Sequence, residues 1–411
     1  MDISFLEEFK QREYYNQCTD FDSLNNLMNS KPIRAYIGFD CTAKSLHVGS
    51  HLQIMCLRML QKYGHQPIVL LGGGTTRIGD PSGKEETRKI LSDKEIESNI
   101  KNIQKVFNIF LKSNNTKTKP IYVNNYKWLG KLNYIKFLRE IGKHFTINKM
   151  LSFDSVKLRL DREQSLSYME FNYMILQAYD FLELNKNKNC IMQIGGSDQW
   201  GNIVNGVELI KRYSSKQSFG LTTPLITLAS GAKMGKTEKG AVWLDKALLS
   251  PYEYWQFWRN TDDRDVIKFL KMFTDLSIKK INEIKNKNVN DLKITLANEA
   301  TSMLHGKSAA EKAEQTARKT FVSGSIGEDL PTLKIGKKEI ENGVNIIDLV
   351  VLSKLLVSKS EVRRTIKNRG IKIDNEIIED QNLQILLKDF KNKNFLKLSL
   401  GKKKHVIIKI S

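Results

Sequence analysis

Apolar and polar positions near the start of the chain predict a strand, a helix and a second strand in succession. The first strand is an apolar run over Arg34–Asp40 that ends in a glycine-containing turn. Apolar residues over Ser50–Tyr63 recur at helical spacing, and Pro67–Gly73 is a continuous apolar run typical of a buried strand. Strands joined through a helix in this way run parallel, so we expect ligands beyond the carboxyl ends of the strands.

The same alternation continues to about residue 220, where the pattern changes. The next predicted elements are a helix over Asp93–Leu111, a strand over Pro120–Asn125, a helix over Ser165–Leu182, a strand over Cys190–Gly196 and a helix over Gln199–Tyr213. After Ser250 and Pro251, which mark a helix start, amphipathic helical stretches follow over Asp265–Phe273, Leu292–His305 and Ala309–Phe321. The predicted fold class is α/β: a parallel-sheet domain, then a small α-helical domain and a small α+β domain.

We expect five segments along the chain. The parallel-sheet domain occupies 1–220, and a linker over 221–247 carries the sequence KMGKT. The small α-helical domain occupies 248–321. Residues 322–343 hold four glycines and one proline and are interpreted as a second linker. The last segment, 344–411, is rich in lysine and arginine and forms the small α+β domain.

Charge and cysteine content narrow the possible partners and the compartment. The chain has 66 lysines and arginines against 45 aspartates and glutamates, a net charge of +21. This excess favours nucleic acid or an anionic membrane as partner, although a basic solvated surface has the same composition. Four widely spaced cysteines, without a C-x-x-C pair, suit a reducing cytoplasm. No apolar run approaches the ~20 residues of a membrane span, so we expect a soluble cytoplasmic protein.

Three stretches have the composition of anion-binding loops. His47–Ser50 leads directly into a helix, whose free backbone amides favour phosphate. The Ser50 hydroxyl can cap that helix or donate one neutral hydrogen bond. The glycine-rich loop Gly72–Lys84 and the loop Lys233–Thr237 supply basic side chains. Each signal is weak alone, because most glycine-rich turns are only turns. Neither G-x-x-x-x-G-K-[ST] nor G-x-G-x-x-G occurs in the chain, which excludes the common nucleotide-binding loops.

The helix predicted near Phe171–Leu182 has an unusual polar face. Tyr173, Gln177 and Asp180 follow i, i+4, i+7 spacing and share one side. A solvent-exposed face is the alternative, but in this lysine-rich chain such a face is expected to carry lysines. We therefore favour a pocket lining, in which buried polar groups find hydrogen-bond partners.

The order of the motifs resembles a known enzyme family. "HVGS" before a helix, "GGSDQWGN" at a strand end and "KMGKT" in a loop resemble the class I aminoacyl-tRNA synthetases. The stretches "YIGFDCTAKSLHVGS", "GDPSGK" and "YMILQAYDF" are similar to the bacterial tyrosyl-tRNA synthetases, and the tail "SKSEVRRTIKNRGIKIDNE" resembles an S4-type RNA-binding module. The resemblance spans essentially the whole chain.

This resemblance implies both a fold and a reaction. The fold would be a Rossmann-like catalytic domain, then an α-helical tRNA-binding domain and an S4-type RNA-binding domain. Tyrosine would be activated with ATP to tyrosyl-adenylate and pyrophosphate, and the tyrosyl group would then be transferred to the 3′ end of tRNA(Tyr). ATP would bring Mg²⁺ bound through its phosphates, with no tightly bound cofactor and no metal site in the protein. Family members also lead us to expect a homodimer.

The resemblance assigns roles to individual residues. The catalytic set would be His47, Lys84, Arg88, Lys233, Lys236 and Thr237. Tyrosine would be bound by Tyr36 and Asp180 at its phenol, by Asp80, Tyr173 and Gln177 at its ammonium group and by Gln199 near its carboxylate. ATP would be bound by Asp40, Thr42, His47, Gly49, Ser50, Gly196, Asp198 and Lys236. The basic run Lys359, Arg363, Arg364, Lys367 and Arg369 suits contacts with tRNA phosphates.

Two positions depart from the family pattern. Ser50 stands where the first signature commonly ends in histidine, and KMGKT replaces the commoner KMSKS. His51 cannot simply substitute, because one step along a helix turns a side chain by about 100°. Two alternatives stay open: a relative specific for another amino acid such as tryptophan, and an RNA-binding scaffold with a vestigial synthetase body. The hydroxyl-binding pair Tyr36 and Asp180 disfavours the first. The intact site residues disfavour the second.

Overall fold

The structure is a computed structural model of the 411-residue chain. It describes residues 3–80, 91–231, 234–237, 240–322, 330–390, 395–401 and 404–411. No helix within these ranges is long and apolar enough to cross a membrane.

A six-stranded sheet forms the centre of the first domain. Its strands are β1 (Gln17–Cys18), β2 (Arg34–Phe39), β3 (Gln66–Leu71), β4 (Ile121–Asn124), β5 (Cys190–Gly196) and β6 (Phe219–Thr223), in the spatial order β1-β6-β5-β2-β3-β4. All neighbouring strands run parallel except β1, which pairs antiparallel with β6 at one edge. The predicted parallel sheet is therefore confirmed. Strand order reverses at β2, and ligands of such sheets bind in the crevice beyond the strands at that point.

Helices pack around this sheet and continue into the helical segment. Those of the first domain are α1 (Phe5–Gln11), α2 (Phe21–Ser30), α3 (His51–Lys62), α4 (Asp93–Phe110), α5 (Tyr126–Leu129), α6 (Tyr134–Glu140), α7 (Ile147–Leu151), α8 (Asp154–Asp161), α9 (Tyr168–Phe171), α10 (Tyr173–Lys188) and α11 (Trp200–Ser214). Those that follow are α12 (Pro251–Arg259), α13 (Val266–Phe273), α14 (Ile278–Ile284), α15 (Val289–His305) and α16 (Lys307–Val322). Short strands β7 (Lys236–Thr237) and β8 (Gly240–Ala241) lie between the two groups. One apolar core contains side chains from both groups.

The start of α12 shows how local sequence sets an element boundary. Ser250 accepts a hydrogen bond from the Glu253 backbone, and the Glu253 carboxylate accepts one from the Ser250 backbone. Pro251 occupies the first helical position, where no backbone N–H is needed. The predicted helix start is confirmed.

The single helix predicted over Ser165–Leu182 is wrong, because the segment forms two helices. Ser167 caps α9 with its partner Glu170, so the helix begins later than predicted. Asn172 then separates α9 from α10, and its side-chain nitrogen donates to the Tyr168 carbonyl at 2.7 Å, satisfying the end of α9. Helix α10 continues to Lys188, where Asn189 ends it in the left-handed conformation.

The C-terminal region has its own sheet and apolar core. Its elements are β9 (Thr332–Ile335), α17 (Lys337–Glu341), β10 (Val344–Asn345), α18 (Ile346–Leu352), α19 (Lys359–Lys367), β11 (Ile371–Ile373), β12 (Glu376–Ile377), β13 (Gln384–Ile385), β14 (Phe395–Leu400) and β15 (Lys404–Ile410). Strand β9 pairs parallel with β15, and Ile335 and Ile340 are buried in this core. Part of the predicted linker 322–343 is therefore regular structure, because β9 pairs with β15 and both β9 and α17 bury an isoleucine in this core.

Candidate active site

A cavity of about 330 Å³ opens at the carboxyl edge of the sheet, where strand order reverses. Side chains from β2, β5, α10 and the loops after the strands line it. The predicted site residues among the lining are Tyr36, Asp40, Gly49, Ser50, Asp80, Tyr173, Gln177, Asp180, Gly196, Asp198 and Gln199. The polar face of α10 thus lines a pocket, as its spacing predicted, and does not form a solvent face.

The deep end of the cavity presents a phenol and a carboxyl group. Tyr36 is 1% exposed, and its hydroxyl has no hydrogen-bond partner in the part of the chain that the structure describes. Burial raises its pKa well above the usual value, and the charge of Asp180 raises it further. Asp180 is also buried. The pair can therefore donate one hydrogen bond and accept another, which suits a ligand with a hydroxyl group.

Two residues that sequence reasoning missed hold the Asp180 carboxylate. The Asn125 side-chain nitrogen donates to one oxygen at 2.9 Å, and the Trp128 indole nitrogen donates to the other at 2.6 Å. Burial raises the pKa of Asp180 to about 7, although these two hydrogen bonds act to lower it. Asn125 directly follows β4 at the carboxyl edge of the sheet, and that position was the signal that could have identified it.

Asp40 and its donors form the wall beside α10. The Thr75 hydroxyl donates to one Asp40 oxygen at 2.8 Å, and the Tyr173 hydroxyl donates to the other at 3.2 Å. Thr75 also accepts from the Asn125 side chain at 3.1 Å, so this wall is connected to the deep end. The orientation of Asp40 is consequently fixed by hydrogen bonds.

A second network crosses the mouth of the cavity from Asp80 to α10. The Gln199 side-chain nitrogen donates to Asp80 at 2.9 Å. Asn202 donates to both Gln177 and Gln199, each at 3.2 Å. Acceptor oxygens of Asp80 and Gln177 thus line one cavity, which is an arrangement suited to an ammonium group.

His47 directly precedes a short 3₁₀ turn over Val48–Ser50, and Gly49 and Ser50 of this turn line the cavity. Its Nδ1 accepts from the Gly49 backbone at 3.0 Å, which assigns the ring proton of a neutral imidazole to Nε2. The Ser50 hydroxyl makes no capping bond to α3, so of the two roles expected for it only the donation of one neutral hydrogen bond is left. The His47 ring caps the preceding turn instead. His51 is fully buried against Phe110 and Phe273, so it cannot reach the cavity.

Other predicted residues lie at the rim or outside the described part. Thr42 is exposed, and neither Thr42 nor His47 is part of the cavity lining. The side chains of Lys236 and Thr237, like the whole of Lys84, Arg88 and Lys233, lie outside the described residues. Backbone atoms of Lys236 and Thr237 form β7. Within the described ranges, no three His, Cys, Asp or Glu side chains are grouped so as to hold a metal ion.

The predicted RNA-binding residues lie on and beside α19. Arg363, Arg364 and Lys367 are exposed on this helix. Lys359 forms an exposed ion pair with Asp348 at 2.6 Å, and Arg369 forms one with Glu379 at 3.0 Å. Ion pairs of this kind contribute little to stability, so phosphate groups can compete for these cations.

Comparisons with known proteins divide the chain into two regions that meet after residue 322. Residues 28–322 match the family of class I tRNA synthetases for tryptophan and tyrosine, and residues 324–408 match the C-terminal domain of tyrosine–tRNA ligases. The second match begins before β9, in agreement with the pairing of that strand.

Individual relatives match over nearly the full length. A tyrosine–tRNA ligase from Pelagibacter ubique is 66% identical over 406 residues, which cover 99% of each chain. One from Xanthobacter autotrophicus is 53% identical, over 98% of this chain and 97% of that one. A solved structure of a C-terminally truncated mitochondrial tyrosyl-tRNA synthetase from Aspergillus nidulans superposes with a TM-score of 0.70 at 31% identity, covering 77% of this chain and 94% of that chain.

Proposed function

The chain belongs to the class I tRNA synthetases and is a tyrosine–tRNA ligase, and from this premise we propose that its cavity binds tyrosine at the Tyr36 end and ATP at the His47 end. The assignment rests on what is observed at the deep end of the cavity. There an unpartnered, buried phenol hydroxyl faces the same space as the buried Asp180 carboxyl. An unpaired polar group is costly unless a ligand satisfies it. The phenol of tyrosine supplies the missing partner.

Tyrosine would extend from this end toward the mouth of the cavity. Its hydroxyl donates to Asp180 and accepts from Tyr36, while Asp80, Tyr173 and Gln177 surround its ammonium group. Gln199 lies near its carboxylate. A site built to hydrogen-bond a hydroxyl rejects the analogue without one by ~10⁴–10⁵, and tyrosyl-tRNA synthetases are themselves the established example of this discrimination. The physical reason is that phenylalanine would leave both polar partners buried and unpaired.

ATP would lie across the carboxyl ends of β2 and β5. Asp40, Thr42, Gly49, Ser50 and Gly196 would surround the nucleotide, and Asp198 would accept from a ribose hydroxyl. Mg²⁺ would enter bound to the phosphates of ATP, with no metal site in the protein itself.

Activation joins the tyrosine carboxylate to the α-phosphorus as pyrophosphate leaves. Positioning and charge stabilisation supply most of the rate enhancement for such a transfer. The Nε2–H group of His47 would donate a hydrogen bond to phosphate oxygens as negative charge develops. Lys84, Arg88, Lys233, Lys236 and Thr237 would close over the pyrophosphate, an assignment that rests on the family motifs alone.

Transfer of the tyrosyl group requires tRNA, and we assign the phosphate contacts to α19 and its surroundings. Lys359, Arg363, Arg364, Lys367 and Arg369 supply the cations. In this proposal the catalytic domain spans 1–220, the KMGKT linker 221–247 and the helical tRNA-binding domain 248–321. The S4-type domain then begins at β9, twelve residues earlier than the sequence predicts.

A homodimer is part of the proposal, and an exposed apolar surface supports it. Helices α6 to α9 carry large apolar side chains in solvent, including Tyr134 (58% exposed), Ile135 (70%), Ile147 (59%) and Tyr168 (66%). Contiguous exposed apolar groups usually mark an interaction surface. Ile135→Asp should shift the mass measured by sedimentation toward the monomer. The four cysteines are free thiols, which supports a location in the reducing cytoplasm.

Amino-acid-dependent ATP–pyrophosphate exchange tests the assignment of the cavity. We expect exchange with tyrosine and none with tryptophan or phenylalanine. Asp180→Ala should impair the use of tyrosine by roughly ten- to a hundredfold, corresponding to ~1.5–3 kcal/mol for a lost charged partner, while the KM for ATP is kept. Unchanged use of tyrosine by this variant would refute the placement of the phenol.

A further inference from the structure

Asp265 lies at the start of α13, and its side chain is bonded to the linker that carries KMGKT. Aspartate in this position commonly accepts from the first backbone N–H groups of its own helix, but Asp265 makes no such bond. Asp262 caps the short turn that leads into α13. The Asp265 Oδ2 atom instead accepts from the backbone N–H of Ala229 at 2.8 Å, a residue 36 positions earlier in the chain.

Burial makes this bond costly to lose. Asp265 is only 6% exposed, and a buried carboxylate without a hydrogen-bond donor is strongly unfavourable. A bond from a backbone N–H to a charged acceptor is also stronger than a bond between neutral groups. The backbone of Ala229 is therefore held where the carboxylate is.

The helix that carries Asp265 is itself fixed at its other end. The Arg12 guanidinium donates to the carbonyls of Lys271, Thr274 and Leu276 at 2.8, 3.1 and 2.9 Å. The apolar residues of α13 are buried in the core that the helical segment shares with the sheet domain. Asp265 consequently projects toward the linker from a helix that is held along its length.

The residues after Ala229 connect this bond to the HVGS turn. Met234 is 6% exposed and belongs to the shared core. A β-carbon built at the next residue, Gly235, would lie 2.8 Å from the His47 ring. The linker is thus held on one side by Asp265 and on the other by its contact with His47.

We propose that Asp265 is a positioning residue for the lysine loop, Lys233–Thr237. Its carboxylate holds the linker backbone at Ala229, and this fixes the path along which the loop approaches the phosphates of ATP. The inference rests on the proposed action of Lys233 and Lys236 on pyrophosphate. Because that action strengthens as charge develops in the transition state, Asp265 affects the rate of adenylate formation and not the binding of tyrosine.

Asp265→Ala tests the proposal in rapid-quench measurements of adenylate formation. The rate constant does not depend on the amount of folded protein, whereas the amplitude does. We expect the rate constant to fall about tenfold, as for the loss of one hydrogen bond to a charged group. The dissociation constant for tyrosine should be unchanged, because Asp265 lies outside the cavity lining. An unchanged rate constant, or weaker tyrosine binding that accounts for the whole loss, would overturn the proposal.

Asp265→Asn provides the conservative variant. Asparagine keeps an oxygen that can accept from Ala229, so this variant should be faster than Asp265→Ala and slower than the unmutated protein. If Asp265→Ala does not fold, Asp265→Asn alone must lower the rate constant at an unchanged dissociation constant for tyrosine. An Asn variant as slow as the Ala variant would mean that the bond to Ala229 is not what matters.

Asp262 supplies the matched control on the same turn. Its carboxylate accepts from the Arg264 backbone at 3.0 Å and forms an exposed ion pair with the Arg264 side chain. Asp262→Ala should therefore leave the rate constant and the dissociation constant for tyrosine unchanged. A loss of rate equal to that in Asp265→Ala would assign the effect to capping of the turn and overturn the proposal.

Lys236→Ala tests the premise separately. If this variant forms adenylate at an unchanged rate, the proposed role of the lysine loop is wrong, and the role of Asp265 falls with it. If Lys236→Ala is slow and Asp265→Ala is not, only the role of Asp265 is wrong.

Discussion

Gly235 packs directly against His47. A β-carbon built at Gly235 would lie 2.8 Å from the His47 Nδ1 atom and 2.9 Å from the backbone nitrogen of Gly49, closer than real β-carbons approach. The φ angle of Gly235 is +107°, a conformation that side chains other than glycine rarely adopt. The glycine in KMGKT therefore allows the lysine loop to contact the HVGS turn, which a serine in this position would prevent without a shift of the backbone.

Gly235→Ala should slow tyrosyl-adenylate formation by about tenfold or more. The strained backbone costs ~1–3 kcal/mol, and the contact with His47 and Gly49 must open, which withdraws the lysines from the phosphates. Rapid-quench measurement of adenylate formation gives the rate directly.

Gly231→Ala is the matched control for strain without contact. Gly231 lies in the same linker with φ +82°, and no atom lies within 4 Å of a β-carbon built there. A much smaller loss of rate in this variant is expected. Equal losses in both variants would mean that strain matters and that the contact with His47 does not.

The ionisation of Asp180 predicts a pH dependence of tyrosine use. Burial raises its pKa to about 7, with Asp40 and Glu183 adding to the shift, so the carboxyl is protonated below that pH in the free enzyme. An ionised carboxylate accepts a stronger hydrogen bond from the phenol than a neutral carboxyl does. We expect kcat/KM for tyrosine to rise with pH through about 7 and then to level off, because this constant reports the free enzyme.

Asp180→Asn should abolish that rise, whereas His47→Ala should retain it at a lower rate.

The same ionisation affects stability. Because the folded-state pKa lies above the ordinary value of 3.8, the contribution of Asp180 is full below that value and is lost as pH rises through about 7. The difference between the melting temperature of Asp180→Asn and that of the unmutated protein should therefore increase, in favour of the variant, from pH 5 to pH 8. If kcat/KM for tyrosine depends on pH in the same way in Asp180→Asn and in the unmutated protein, a group other than Asp180 is responsible for the titration.

Local patterns predicted the parts of the site that lie on one element. Tyr173, Gln177 and Asp180 share a helix face whatever surrounds the helix, so spacing alone was sufficient to group them. Their partners are not local. Asn125 and Trp128 precede Asp180 by 55 and 52 residues, and they meet it only after β4 and α10 have packed.

Gln193, which lines the cavity on β5, and the strand β9 were missed for a related reason. A glutamine inside the apolar run of β5 carries no sign that Tyr36 will lie beside it, because strand order is a property of the whole sheet. The glycines around Thr332–Ile335 suggested a linker, whereas pairing with β15, more than 70 residues later, makes this segment a strand. Tertiary contacts of this range override local composition.

Removal of the C-terminal domain should separate the two half-reactions. The cut belongs after Val322, since a cut before Val344 would leave β9 without its partner strand β15. Adenylate synthesis should survive, while tRNA charging should fall and lose much of its dependence on salt concentration, because phosphate contacts release counterions. Pyrophosphate exchange and tRNA charging are measured on the same preparation at several salt concentrations.

The melting temperature provides the control for this truncation. Leu330 and Ile407 belong to the core that also contains the helical segment, so the domain can contribute to folding as well as to RNA binding. If exchange and charging are lost equally at an unchanged melting temperature, the C-terminal domain acts in activation and its assignment to tRNA is wrong.

The last prediction concerns how much His47 and Ser50 each contribute to the rate of adenylate formation. The His47 ring accepts from the Gly49 backbone through Nδ1, so the Nε2–H group of the neutral ring can donate a hydrogen bond to phosphate. Its contribution grows as charge develops in the transition state, and loss of one such donor can cost ~10²-fold in rate or more. Ser50 lines the cavity without capping α3, so its hydroxyl offers at most one neutral hydrogen bond, which contributes ~0.5–1.5 kcal/mol.

Ser50→Ala should therefore slow adenylate formation by roughly tenfold or less at an unchanged melting temperature, and His47→Ala should slow it further. Ser50→His restores the commoner signature and should be tolerated, because position 50 faces the cavity and not the core that encloses His51. Rapid-quench rates for the three variants decide the order. A larger loss in Ser50→Ala than in His47→Ala, with both proteins folded, would make the serine the principal phosphate ligand of this turn and leave the histidine to shape the backbone through Gly49.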